Sequence, residues 1–150
     1  MNRLLMQRHR PLARLAPLTL ALAAAGVTVT GWGQRIKDLP PSALGVNVPA
    51  LSPQAQAGQR IFDAECATCH GRFGTGTDKG PPLLNAIYNA GHHADEAFFR
   101  AAQQGVRQHH WQFGDMPAQP QVSAEQLAQI VRYVRELQQA NGIRFEPHRM

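Results

Sequence analysis

The strongest constraint on this chain is one short segment, Cys66-Ala67-Thr68-Cys69-His70, which contains both of its cysteines. A zinc site needs four ligands, and the sequence has no second cysteine pair to complete one. A thioredoxin-like redox pair needs a preceding strand and a βαβ context, and no strand pattern precedes this pair. A disulfide between Cys66 and Cys69 would close too short a loop to stabilise the fold much. The spacing, with a histidine directly after the second cysteine, is typical of covalent haem attachment.

Helix geometry explains why this spacing suits a haem. Residues three apart lie on one helical face, so the sulfurs of Cys66 and Cys69 can form thioethers with the two vinyl groups on one porphyrin edge. His70 then presents its imidazole to the iron. A core built from under about 100 residues is marginal without a cofactor, and a porphyrin supplies the missing apolar mass. We therefore predict one covalent haem c.

The sixth iron ligand is predicted to be Met116, which lies in the irregular segment Gly114-Asp115-Met116-Pro117. A buried core methionine is the plain alternative, and rival ligands come from two histidine pairs, His92-His93 and His109-His110. A thioether favours ferrous iron and raises the reduction potential. With both axial positions filled, no substrate binds the metal, so we expect an electron carrier and not an enzyme.

Charge is concentrated at the start of the chain of 150 residues, whose formal net charge is +5. Four arginines lie in the first fourteen residues, which contain no acidic residue: Arg3, Arg8, Arg10 and Arg14. Removing these four from the 15 basic residues leaves 11 against 10 acidic ones, so the rest of the chain is near neutral. It has no basic stripe, and we expect no nucleic-acid partner.

An uncharged run, residues 15–34, follows these arginines. It is typical of a secretory signal, with small residues at Ala23-Ala24-Ala25 for cleavage, and its length also suits a marginal membrane span. A buried core helix is disfavoured because the run has no polar face. Under the positive-inside rule, everything after Gly33 lies across the membrane, so we expect the periplasmic side, either released or anchored through residues 15–33.

Proline, glycine and changes in composition divide the chain into four predicted parts. Residues 1–33 are the signal or anchor, and residues 34–51 read as a proline-rich linker. Residues 52–142 form the predicted domain, and residues 143–150 form a tail. A spacer suits a soluble domain tethered to a membrane, which slightly favours the anchor.

The domain is predicted to be all-α. Ser52-Pro53 is a helix start, and that helix runs towards Cys66. A second helix spans residues 95–104 and ends at Gly105. The clearest helix spans residues 123–141, opens with a capping box of Ser123 and Gln126, and ends at Gly142.

From Gly58 to Gly142 the chain resembles a class I cytochrome c in the order of several features. Besides the attachment motif, these are Gly58, Phe62, Gly80-Pro81-Pro82-Leu83, Met116, Ile130 and Tyr133. The resemblance implies that the N- and C-terminal helices cross around one haem, with Gly58 and Phe62 meeting Ile130 and Tyr133. It also implies that the Pro81 carbonyl accepts a hydrogen bond from the His70 imidazole and that Met116 is the distal ligand.

The function implied is single-electron transfer, with redox proteins such as an oxidase, dehydrogenase or reductase as donors and acceptors. Two alternatives keep the haem: a cytochrome subunit of a larger membrane oxidoreductase, and a haem-based sensor. A third is a metal-binding module built on the histidine pairs, which depart from the usual pattern of the family.

The histidine pairs flank the helix at residues 95–104, which is about 15 Å long. The irregular flanks can still fold back and bring one histidine of each pair together. Three interpretations stay open: solvated surface pairs, a haem-propionate or pH role near neutrality, and a copper or zinc site.

Overall fold

The computed structural model describes residues 39–147, which contain four α-helices. They are α1 (Pro53–Glu65), α2 (Ala67–His70), α3 (Asp95–Gln104) and α4 (Ala124–Ala140). Three short 3-10 helices lie at Pro41–Leu44, Arg72–Gly74 and Ala86–Tyr88. Within residues 39–147 there is no β-strand, only an isolated antiparallel bridge between Val106 and Met116. The predicted all-α class is confirmed.

Local capping fixes where the two long helices begin. The Ser52 hydroxyl accepts from the Ala55 amide at 3.2 Å, and Pro53 occupies the first helical position of α1. At α4 the capping box is complete. The Gln126 amide donates to the Ser123 hydroxyl, and the Gln126 side chain accepts from the Ser123 amide at 2.9 Å. Both predicted caps are confirmed. Each cap satisfies backbone N–H groups that have no partner inside the helix.

The main packing contact of the domain is the crossing of α1 and α4. At Gly58 the helices are so close that an added Cβ would lie 1.9 Å from the Gln129 carbonyl oxygen and 2.9 Å from the Ile130 amide nitrogen. One turn further along α1, the Phe62 and Tyr133 rings pack with centroids 5.5 Å apart. Both rings are almost fully buried, so this crossing forms the centre of the core.

Parts of the predicted linker and tail pack against the domain. Val46 is buried in the core, and the Asn47 amide donates to the Asn141 side chain at 2.9 Å. In the tail, the Glu146 amide donates to the Asn89 side-chain oxygen at 3.3 Å. Residues 39–51 are therefore attached to the domain and do not form a free spacer. The reason is that apolar residues of this proline-rich segment pack against the core.

The arginine-rich start and the uncharged run at residues 15–34 lie outside the described residues. Among residues 39–147, no helix has the length and apolar character needed to cross a membrane. The signal or anchor stays a prediction from sequence.

Gly58→Ala is expected to destabilise the domain by about 3 kcal/mol, because the added methyl group meets backbone atoms that cannot move cheaply. Alanine is the better helix former by about 1 kcal/mol, so a net loss isolates the steric cost of the crossing. Denaturant unfolding of the holoprotein measures the change. Gln54→Ala, at an exposed position of α1, is the matched control and should change stability by under about 0.5 kcal/mol. Equal denaturant midpoints of unfolding for the two variants would contradict the close helix crossing at Gly58.

Candidate functional site

The two cysteines lie where α1 ends and α2 begins. The Cys66 amide closes the last turn of α1 by donating to the Phe62 carbonyl at 2.8 Å, and the next four residues form α2. Cys66 is half-buried, Cys69 is exposed, and both are free thiols. Phe62 belongs to the helix crossing, so the crossing positions the first thiol directly.

The electrostatics of Cys66 do not suit thiol–disulfide exchange. Burial, followed by the nearby Glu65 and Cys69, raises the pKa of the Cys66 thiol to about 11. A redox-active pair needs a thiolate with a lowered pKa. Among residues 39–147, the cluster of three potential metal ligands consists of histidines and includes neither cysteine.

The His70 ring has a fixed orientation and a defined tautomer. Its Nδ1 lies 3.0 Å from the Pro81 carbonyl oxygen. A carbonyl only accepts, so Nδ1 carries the hydrogen and Nε2 keeps its lone pair. Burial lowers the pKa of His70, although the hydrogen bond to Pro81 works in the opposite direction. The contact with Pro81 is the one that the resemblance implies. The role of Pro81 in holding a cofactor stays a prediction.

The glycine-rich loop after the motif is held against it by backbone contacts. The Gly76 amide donates to the His70 carbonyl at 2.6 Å, and the Thr77 hydroxyl donates to the Cys69 carbonyl at 2.6 Å. At Gly80, a Cβ would lie 2.9 Å from that same Cys69 oxygen, so only glycine allows the approach. This ordered loop brings Pro81 to the imidazole.

The donor set fits a haem c. Two unpaired thiols sit on adjacent turns, the next residue offers an imidazole nitrogen, and the ring is oriented by a backbone carbonyl. Cys66 and Ala67 also pack against the apolar core, so the attachment segment lies beside it. These observations support attachment at Cys66 and Cys69 with His70 as proximal ligand.

Met116 is fixed in place by its backbone. Its amide and carbonyl form two hydrogen bonds with Val106, each 2.9 Å long, and its side chain is half-buried. The bridge closes the loop of residues 106–116. Gly105 is required beside it, because a Cβ there would lie 2.7 Å from the Met116 carbonyl oxygen. Met116 is therefore held in a defined position, and its role as axial ligand stays a prediction.

Sequence reasoning missed two residues of α4 that hold the loop between α2 and α3. Arg135 donates to the Tyr88 carbonyl at 2.7 Å and also to the His93 carbonyl. Gln138, which is 2 % exposed, donates to the Leu83 carbonyl at 2.9 Å. The only signal for Gln138 was its spacing, since it falls four residues after Val134 on the apolar stripe.

The two histidine pairs come together in space. One ring nitrogen from each of His92, His93 and His110 lies within 4.8 Å of the others. Burial, and after it the neighbouring histidines, lowers the pKa of His93, although the hydrogen bond to the Ile87 carbonyl works in the opposite direction. The chain does fold back around α3, which places a histidine of the second pair beside both members of the first.

Comparison with known proteins identifies one family. The family model described as Cytochrome c matches residues 55–138, which is more than half of the chain. The matched region begins in α1, contains the attachment motif and Met116, and ends near the C-terminus of α4. No curated protein and no solved structure matches at a significant level.

Proposed function

The chain belongs to the cytochrome c family, and on that premise we propose that it carries single electrons on one covalently bound haem c. Family membership supports haem-based electron transfer. The observation that carries the finer proposal is the oriented His70 imidazole, hydrogen-bonded to Pro81 and directly following two free thiols. Such a hydrogen bond holds the ring at one angle and increases its basicity towards iron.

The residues of the chain have separate tasks in this proposal. Cys66 and Cys69 would hold the porphyrin edge, His70 would provide a nitrogen ligand, and Met116 would provide a thioether. When bound, the haem supplies a metal centre that gains and loses one electron. Cytochrome c domains are typically electron carriers, and a haem iron with protein ligands at both positions outside the porphyrin would have none left for a substrate.

Exposure of the two thiols suggests where electrons enter and leave. Cys66 is half-buried while Cys69 is exposed, so the porphyrin edge that both would hold would lie nearer the surface at its Cys69 end. We propose that redox proteins act as donor and acceptor at this edge.

Replacing both cysteines, Cys66→Ala with Cys69→Ala, is expected to abolish covalent haem binding, because no thioether can form. Haem-peroxidase staining after denaturing gel electrophoresis measures it. The unmodified chain should keep its haem in the gel, and Thr68→Ala, at an exposed position between the cysteines, should keep it too. Haem lost from the unmodified chain under denaturant would contradict the attachment.

Met116→Ala is expected to remove the weak sulfur-to-iron charge-transfer absorption of the oxidised protein. The reduction potential should fall by on the order of 0.1 V, within the range that axial ligands control. Carbon monoxide should then bind the vacated position. Gln112→Ala, at an exposed position of the same loop, is the control and should leave the spectrum and potential unchanged. An unchanged spectrum in Met116→Ala would instead assign the sixth position to a histidine.

We propose that the domain works on the periplasmic side of the cytoplasmic membrane, released or anchored. The support is the arginine-rich start and the uncharged run that follows it. Deleting residues 1–33 is expected to yield apoprotein, because haem attachment takes place outside the cytoplasm. Haem content of the two purified forms measures this. Equal haem content in the full and shortened chains would refute the export.

A further inference from the structure

A cluster of imidazoles lies outside the proposed haem ligands, where two loops meet beyond α3. The ring centroids of His92 and His93 are 4.7 Å apart, and those of His92 and His110 are 5.4 Å apart. His93 and His110 are separated by 5.2 Å, which closes the triangle. One ring nitrogen of each residue lies within 4.8 Å of the other two.

The fold holds both loops in place. On one side, Arg135 of α4 donates to the Tyr88 carbonyl at 2.7 Å and to the His93 carbonyl, which fixes the segment that carries the first pair. On the other side, the bridge between Val106 and Met116 closes the loop that carries the second pair.

A direct bond also joins the two loops. The Trp111 indole N–H donates to the Tyr88 hydroxyl at 3.1 Å. Trp111 follows His110 in the chain, and the Tyr88 ring packs on the His93 ring with centroids 4.9 Å apart. The three histidines are therefore brought together by contacts that exist without any ion.

His93 is oriented as a metal ligand would be. Its Nδ1 lies 2.7 Å from the Ile87 carbonyl oxygen, so Nδ1 carries the hydrogen and Nε2 has the free lone pair. Metal-binding histidines commonly donate their other ring N–H to a backbone carbonyl or carboxylate in this way. Half-burial of His93 further restricts the ring, while His110 at the surface can rotate towards it.

We propose that His92, His93 and His110 form a three-imidazole site for a divalent late transition metal ion such as zinc or copper. Zinc–nitrogen bonds of about 2.0–2.1 Å place tetrahedral ligand atoms about 3.3 Å apart, so modest side-chain rotations close the observed triangle. A donor set of imidazoles alone suits zinc and copper and does not suit magnesium or calcium, which prefer oxygen ligands. Three protein ligands leave the fourth position for water or another ligand.

The chain offers a matched pair of variants, because His109 and His110 are adjacent but only His110 belongs to the three-nitrogen group. Both residues are exposed, and the His109 ring lies 4.3 Å from that of His110, so the two replacements disturb the fold similarly. His110→Gln removes a ligand, whereas His109→Gln removes a neighbouring imidazole.

Calorimetric titration of Zn²⁺ into the full-length holoprotein tests the proposal, since Zn²⁺ does not exchange electrons with the haem. We expect one zinc ion per chain, bound at least about tenfold more weakly after His110→Gln, and within about threefold of the unmodified affinity after His109→Gln. His92→Gln provides a second ligand variant, and the haem absorption spectrum and circular dichroism verify folding in each case.

Zinc X-ray absorption of the loaded protein gives the structural readout, with three imidazole nitrogens expected at about 2.0 Å. Binding that is weaker than about 0.1 mM, or that falls equally in the His109 and His110 variants, would overturn the site and leave only scattered surface imidazoles. The haem absorption spectra of the same variants show separately whether one of these histidines binds the haem iron.

Discussion

The close crossing of α1 and α4 at Gly58 is the contact on which the rest of the domain depends. It brings two backbones within the distance that a single Cβ would occupy, and this approach places the Phe62 ring against Tyr133. Cys66 caps the helix that carries Phe62, so the crossing determines where the first thiol lies. From there the chain turns directly through Cys69 to His70, and the glycine-rich loop brings Pro81 back to the imidazole. Helix packing and the geometry of the proposed haem site are therefore linked through one short stretch of backbone.

The second structural support is polar and also comes from α4. Arg135 and Gln138 supply donors to carbonyl groups of the loop between α2 and α3, which has little regular structure of its own. Buried carbonyl groups need such partners, because an unsatisfied one costs about 1–3 kcal/mol. The same residues hold Tyr88 and His93, so the order of the histidine cluster follows from the order of this loop. One helix therefore organises both the proposed haem site and the proposed metal site.

Local signals predicted the helices well. The sequence predicted three kinds of local feature, because each depends on residues within one or two helical turns. These are the caps at Ser52 and Ser123, the helix at residues 95–104 and the apolar stripe of the last helix. The attachment motif was also readable, since its chemistry is contained in five consecutive residues. Gly58 could be assigned to the crossing only through the family resemblance, as nothing in its local pattern indicates a close helix partner.

Contacts between distant parts of the chain could not be predicted from local sequence patterns. The docking of Asn47 on Asn141 joins residues 94 positions apart, and proline-rich composition alone suggested a free linker. In the sequence, Arg135 has the polar character of an exposed helix residue. Its hydrogen bonds to the loop between α2 and α3 exist only because that loop packs over it. The sequence allowed the two histidine pairs to lie close together. The observed arrangement of three imidazoles depends on the Val106–Met116 bridge and on the hydrogen bond from Trp111 to Tyr88.

In the proposed function, one haem, held by two thioethers and by two further protein ligands, moves one electron at a time. A spectroelectrochemical titration of the purified holoprotein, run once under argon and once under carbon monoxide, tests this claim most directly. The account predicts a single reversible wave with a slope of about 59 mV per tenfold change in the ratio of oxidised to reduced protein, identical under both gases. A second wave, or a potential that shifts under carbon monoxide, would contradict it.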